Sequence, residues 1–125
     1  MRRVSKLARK RQRGAAGFRK ELIASVGKCE VCGRRRQLSC HEIAGGPDRQ
    51  KALDKAYAIL VLCWTCNQGM EDRSVWPQAR QLALLRHSRP NDYDLVAFNF
   101  LVNPRAPMRI TADEVAQFES SGGKC

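Results

Sequence analysis

Apolar residues recur at loosely helical spacing from Val4 to Val26, at Leu7, Ala8, Ala15, Phe18, Leu22, Ile23 and Val26, with Gly14 and Gly17 weakening the middle. The pattern predicts a frayed N-terminal arm and then a helix that Gly27 stops. Leu38 to Ile43 reads as a short strand, and Ala44-Gly45-Gly46-Pro47-Asp48 as a loop, because its glycines and proline break regular structure. Ala58 to Leu62 is a continuous apolar run with β-branched members, the signature of a buried second strand.

Downstream, the periodicity turns helical. A short helix is expected over Asn67 to Arg73, ending at Trp76-Pro77. Pro77 then suits the start of another, carried by Ala79, Leu82, Ala83 and Leu85 to His87. Tyr93 to Leu101 is a further apolar, helical segment, and Thr111-Ala-Asp-Glu114 forms a capping box that opens a last helix through Phe118. No internal repeat is visible. The expected class is α+β, with a basic arm over 1–20 and a single domain over 21–125, whose helical extension spans 77–119.

Two Cys-x-x-Cys pairs interrupt this pattern at the ends of the strand region, Cys29-Glu-Val-Cys32 and Cys63-Trp-Thr-Cys66. Each is a tight turn that offers two thiolates, and four thiolates satisfy tetrahedral zinc with no position left open. Such a zinc stabilises a fold rather than activating water. An iron centre or a thiol redox site is the alternative use of the same residues. Of six cysteines, Cys40 and Cys125 remain without a partner at this spacing. Cys40 reads as a small buried hydrophobe or as a neighbour of the site.

The net charge of +11 and pI near 10.0 call for an anionic partner. Arg2, Arg3, Lys6, Arg9, Lys10, Arg11, Arg13, Arg19 and Lys20 precede the first acid, Glu21. They are either a solvated tail or an arm that neutralises phosphates. Arg34, Arg35 and Arg36 are further phosphate candidates, and His87, among Arg86 and Arg89, is a surface or phosphate-contacting residue. No apolar stretch follows the N-terminal arginines as in a secretory signal. The longest apolar run, Ala56 to Trp64, is far short of the roughly 20 residues a membrane helix needs, so an intracellular chain without membrane contact is expected.

Between the knuckles lies Leu38-Ser-Cys-His41-Glu42-Ile43-Ala-Gly45-Gly46, and the second knuckle runs directly into Asn67, with Glu71 four residues on. Over 28–73 this arrangement resembles the HNH, or ββα-metal, endonucleases, in particular phage-type members with a His-Glu-Ile element. It has some similarity to recombination endonuclease VII, in which an asparagine follows the second knuckle.

The resemblance implies a small ββα-metal core braced by the zinc, with flanking helices at both ends, in a metal-dependent DNA endonuclease of a bacterium or a phage-infected cell. His41 would be the general base, with Glu42 as a further ligand, or as the base if the alignment slips by one residue. Cys40 stands where the family often places an Asp or His ligand, Ala58 stands near its middle asparagine, and its last-helix histidine is missing. The expected ligands of a catalytic magnesium or manganese ion are therefore Asn67 and Glu71, with Cys40 beside them. Read without the resemblance, His41 is a hydrogen-bonded core residue, Asn67 a helix cap and Glu71 a surface acid. The whole would then be a non-catalytic zinc module that binds nucleic acid. A homodimer is compatible with either reading.

Overall fold

The computed structural model describes residues 6–105 and 109–118, and within them the side chains of all but residues 6–13 and 47. The described residues are α+β, a two-stranded antiparallel sheet among five α-helices. Helix α1 (Lys6–Val26) runs unbroken for 21 residues through Gly14 and Gly17. Each glycine costs a helix interior roughly 1 kcal/mol relative to alanine. Ala15, packed at 3% exposure between them, shows why tertiary contact overrides that cost. The boundary expected near residue 20 therefore falls inside one helix. At its end Gly27 takes a φ of +71°, a left-handed conformation that suits glycine, and its N–H donates to the Ile23 carbonyl.

Strands β1 (Leu38–Glu42) and β2 (Ile59–Cys63) pair in register from Leu38 opposite Cys63 to Glu42 opposite Ile59. Every residue of β2 is buried, as its unbroken apolar sequence requires, because helices cover both faces. Period-2 alternation sends Cys40 and Glu42 toward α1, and Ser39 and His41 toward the opposite side. The connection between the strands, of which Ala44 to Asp48 reads from sequence as a loop, contains three single-turn 3-10 helices at Gly46–Asp48, Gln50–Ala52 and Ala56–Ala58, with Ala52 and Ala58 buried.

Helix α2 (Trp64–Met70) starts inside the second knuckle, three residues earlier than expected, with Cys63 as its N-cap residue. Helices α3 (Gln78–Ser88), α4 (Leu95–Val102) and α5 (Ala112–Ala116) follow. The capping box at Thr111 and Glu114 is formed in both directions. Asn99 of α4 is buried and exchanges two hydrogen bonds with the backbone of Ile110, fastening the C-terminal segment to the core. Leu60, Leu62, Met70, Leu82, Leu85 and Phe98 are fully buried and join the sheet to α2, α3 and α4. Among the described residues no helix is long and apolar enough to cross a membrane.

Candidate functional site

The first knuckle is a turn closed by its own backbone: Gly33 donates to the Cys29 carbonyl at 2.9 Å, and Cys29 to the Arg34 carbonyl at 2.7 Å. Gly33 adopts a φ of +79°, which a side chain would strain. Glu30 then bonds β2 through its N–H to the Val61 carbonyl, so the knuckle lies against the strand that ends in Cys63. All four sulfurs of Cys29, Cys32, Cys63 and Cys66 fall within 4.8 Å of one another.

A tetrahedral ion with metal–sulfur bonds of about 2.3 Å needs sulfur–sulfur edges of about 3.8 Å. The Cys32 and Cys63 sulfurs stand 3.7 Å apart. That edge matches, and with all four sulfurs within 4.8 Å of one another the four cysteines can hold a metal ion such as zinc. Burial works against ionisation of Cys63, but the Cys66 N–H and the neighbouring thiols outweigh it and lower its pKa, which favours the ligating thiolate. Cys32 is exposed as a residue, but desolvation of its thiol, with the Cys29 and Cys63 thiols beside it, raises its pKa. Among the described residues this is the one group of three or more His, Cys, Asp or Glu side chains placed to share an ion.

His41 of β1 is 5% exposed, with both ring nitrogens engaged. Nδ1 is 3.2 Å from Asn67 Oδ1 on α2, and Nε2 is 2.9 Å from Gln81 Oε1 on α3. Burial lowers its pKa, helped by the charge of Arg73 and opposed by the Gln81 and Asn67 bonds and by Glu42. The ring is therefore neutral near pH 7. The other end of the Asn67 amide meets the Ser39 hydroxyl at 3.0 Å. Asn67 thus lies within α2 rather than at its cap, and its side chain is turned to His41 and Ser39.

The remaining expected residues separate. The Glu42 side chain is buried and clamped between Arg19, 2.9 Å from Oε1, and Arg49, 3.2 Å from Oε2. Cys40 faces α1, where its thiol donates to the Arg19 carbonyl and burial raises its pKa. The structure therefore does not bring Cys40 to Asn67 and Glu71, since adjacent strand residues point to opposite faces. Glu71 is exposed at the end of α2.

One feature reunites part of the set: a polar cavity of about 130 Å³ lined by His41, Glu42, Gly46, Arg49, Glu71 and Arg73. It opens beside a wider cleft of about 940 Å³ that shares Gly46, Glu71 and Arg73 and reaches Arg109. Arg73 anchors the rim by donating to the Ile43 carbonyl at 3.0 Å.

Arg34, Arg35 and Arg36 are exposed, and Arg34 reaches Thr65 at 3.5 Å. Beside Thr65, Trp64 is 60% exposed, an aromatic face next to a basic loop. His87 is exposed at the end of α3. The side chains of Arg9, Lys10, Arg11 and Arg13 lie outside the described ones.

Sequence reasoning missed Gln81, Arg49, Arg73 and Glu30. Gln81 had a signal: it lies one turn before Leu85 on the apolar face of α3, and a polar residue at a core position needs a partner. No family model, curated protein or solved structure matches the chain.

Proposed function

We propose that the chain is a metal-dependent DNA endonuclease of HNH type, folded around a structural zinc at Cys29, Cys32, Cys63 and Cys66. The observation that carries the reading is the cavity in which His41 and Glu71 meet Arg49 and Arg73 at the junction of β1, the glycine loop and α2. Its position matches the chain order strand, loop, strand, helix.

Phosphodiester hydrolysis needs a base for water, a cation and positive charge against the phosphate. In this reading His41 is the base and Arg73 and Arg49 face the phosphate. Glu71 is the carboxylate open to a hard cation, because Glu42 is held by two arginines and Asn67 by His41. One free carboxylate suits magnesium or manganese that keeps several waters and is completed by the substrate's phosphate. The cation would supply charge neutralisation at the leaving oxygen. Phosphate contacts from Arg34, Arg35, Arg36 and the N-terminal arginines would supply affinity without sequence information.

One observation favours the rival, a non-catalytic zinc module that binds nucleic acid: both ring nitrogens of His41 are already hydrogen-bonded and the ring is buried. Incubating supercoiled plasmid with the zinc-loaded chain and magnesium or manganese separates the two. The nuclease reading expects nicking or linearisation that His41→Ala abolishes by two or more orders of magnitude, the usual worth of a general base. Glu71→Ala is expected to raise the divalent-ion concentration required. Binding without cleavage by the parent protein would establish the rival.

A further inference from the structure

We propose that Gln81 is a positioning residue that holds His41 in its Nε2–H tautomer, leaving Nδ1 as the basic nitrogen of the ring. The use made of that nitrogen rests on the hydrolase reading; the tautomer does not.

The orientation of the Gln81 amide is set by the backbone. Gln81 is fully buried, and its Nε2 donates to the Trp76 carbonyl at 2.8 Å. Reversing the amide would set two acceptor oxygens against each other there, leaving a buried carbonyl unsatisfied at a cost of about 1–3 kcal/mol. Oε1 is thereby directed at His41 Nε2, 2.9 Å away. An amide oxygen only accepts, so Nε2 must carry the proton. In a neutral imidazole the lone pair then belongs to Nδ1.

Asn67 is free to conform. Its far end meets the Ser39 hydroxyl, which can donate or accept by rotating about its own bond. In the structure Asn67 directs Oδ1 at Nδ1 and donates Nδ2 to Ser39; the neutral Nε2–H ring requires that amide reversed, with Nδ2 facing the Nδ1 lone pair and the Ser39 hydroxyl donating to Oδ1. Of the two amides that flank the ring, the one tied to a main-chain carbonyl decides the tautomer and the one tied to a hydroxyl follows. In the hydrolase reading Asn67 must give up its contact with Nδ1 before water can reach that nitrogen; the proton of the attacking water then passes to Nδ1 while the oxygen's electron pair forms the new phosphorus–oxygen bond. The leaving oxygen departs with its bonding pair and takes a proton from solvent.

The chain has two histidines, so both rings can be followed in the ¹⁵N-labelled, zinc-loaded protein. Long-range ¹H–¹⁵N correlation above the ordinary histidine pKa is expected to show His41 as one Nε2–H tautomer, while the exposed His87 averages between two. An Nδ1–H or averaged His41 would overturn the proposal. Gln81→Met should release the ring to a mixture, and an unchanged tautomer in that variant would show that Gln81 does not set it. Should Gln81→Met fail to fold, Asn67→Ser decides: it keeps Gln81 and must retain Nε2–H, whereas loss of the tautomer assigns the role to Asn67. A locked tautomer in a protein that cuts no DNA would count against the nuclease reading and leave this one standing.

Discussion

Arg89 grips Glu30 across 59 positions of sequence, with Nε 2.7 Å from Oε1 and Nη2 3.3 Å from Oε2. The Glu30 side chain is 1% exposed, and its Oε2 also accepts the Val61 N–H at 2.7 Å. Glu30 lies between Cys29 and Cys32, and Arg89 follows α3, the helix that carries Gln81. One buried ion pair thus joins the first knuckle, β2 and the helix that orients His41. Burial opposes the charge of Arg89, and Glu30 and Asp92 outweigh it, raising its pKa.

Removing one partner of this pair strands a buried charge. Arg89→Met is expected to destabilise the zinc-loaded protein by about 3–5 kcal/mol in urea unfolding. Replacing both Glu30 and Arg89 should cost clearly less than the two single changes added together. Additive single and double losses would show that the pair is not coupled.

The four knuckle cysteines are expected to behave as a unit in metal content. Cys63→Ser should lose its metal and leave a partly unfolded chain, since metal affinity is folding energy in such a site. Cys40→Ser should keep its metal, because its thiol faces α1. Elemental analysis with circular dichroism reads both. A Cys63→Ser protein with one zinc per chain and the parent melting temperature would sink the assignment.

The knuckles, the capping box and most helices were legible in sequence because each depends on residues within a turn or two of one another. His41 was legible only as a residue. Its two partners lie 26 and 40 positions away, on helices whose packing no local spacing encodes. The same holds for Glu42, whose arginine partners come from α1 and from the turn after Gly46. Of the two readings of Cys40, the small buried hydrophobe matches its place against α1, and the ligand position that the resemblance implied does not, because neighbouring strand residues face opposite ways.

His41 also sets an acid limit on stability. Its folded pKa is lowered from 6.5, so the unfolded chain takes up a proton that the native ring refuses. The stabilisation is complete above the ordinary histidine value and is lost as pH falls below it, by at most about 1.4 kcal/mol per pH unit for one proton. Denaturant midpoints from pH 7.5 to 5 should therefore fall more steeply for the parent than for His41→Gln. Parallel curves would place the acid sensitivity elsewhere.

Binding to DNA is expected to weaken steeply with salt, by about 0.9 in the log–log slope for each phosphate contact. Replacing Arg34, Arg35 and Arg36 with glutamine should flatten that slope, as should deleting residues 1–13. Trp64, 60% exposed beside this loop, should be quenched more by single-stranded than by duplex oligonucleotides if unpaired bases stack on it. Unchanged slopes in both variants would remove these arginines from the interface.

Cys63 is at once the last residue of β2, the N-cap residue of α2 and a member of the four-sulfur cluster. That coincidence couples metal capture to closure of the hairpin. Cys29 and Cys32 precede the hairpin and Cys63 and Cys66 terminate it, so all four sulfurs converge only after the chain between them has closed. Metal added to an unfolded chain can be held by one pair at first, and full capture requires the loop between the pairs to close, at the entropic cost of that loop. A substitution that loosens the β1–β2 register is therefore expected to slow or weaken metal loading even with every cysteine in place, and unchanged loading kinetics would show that the cysteines close the loop without the strands.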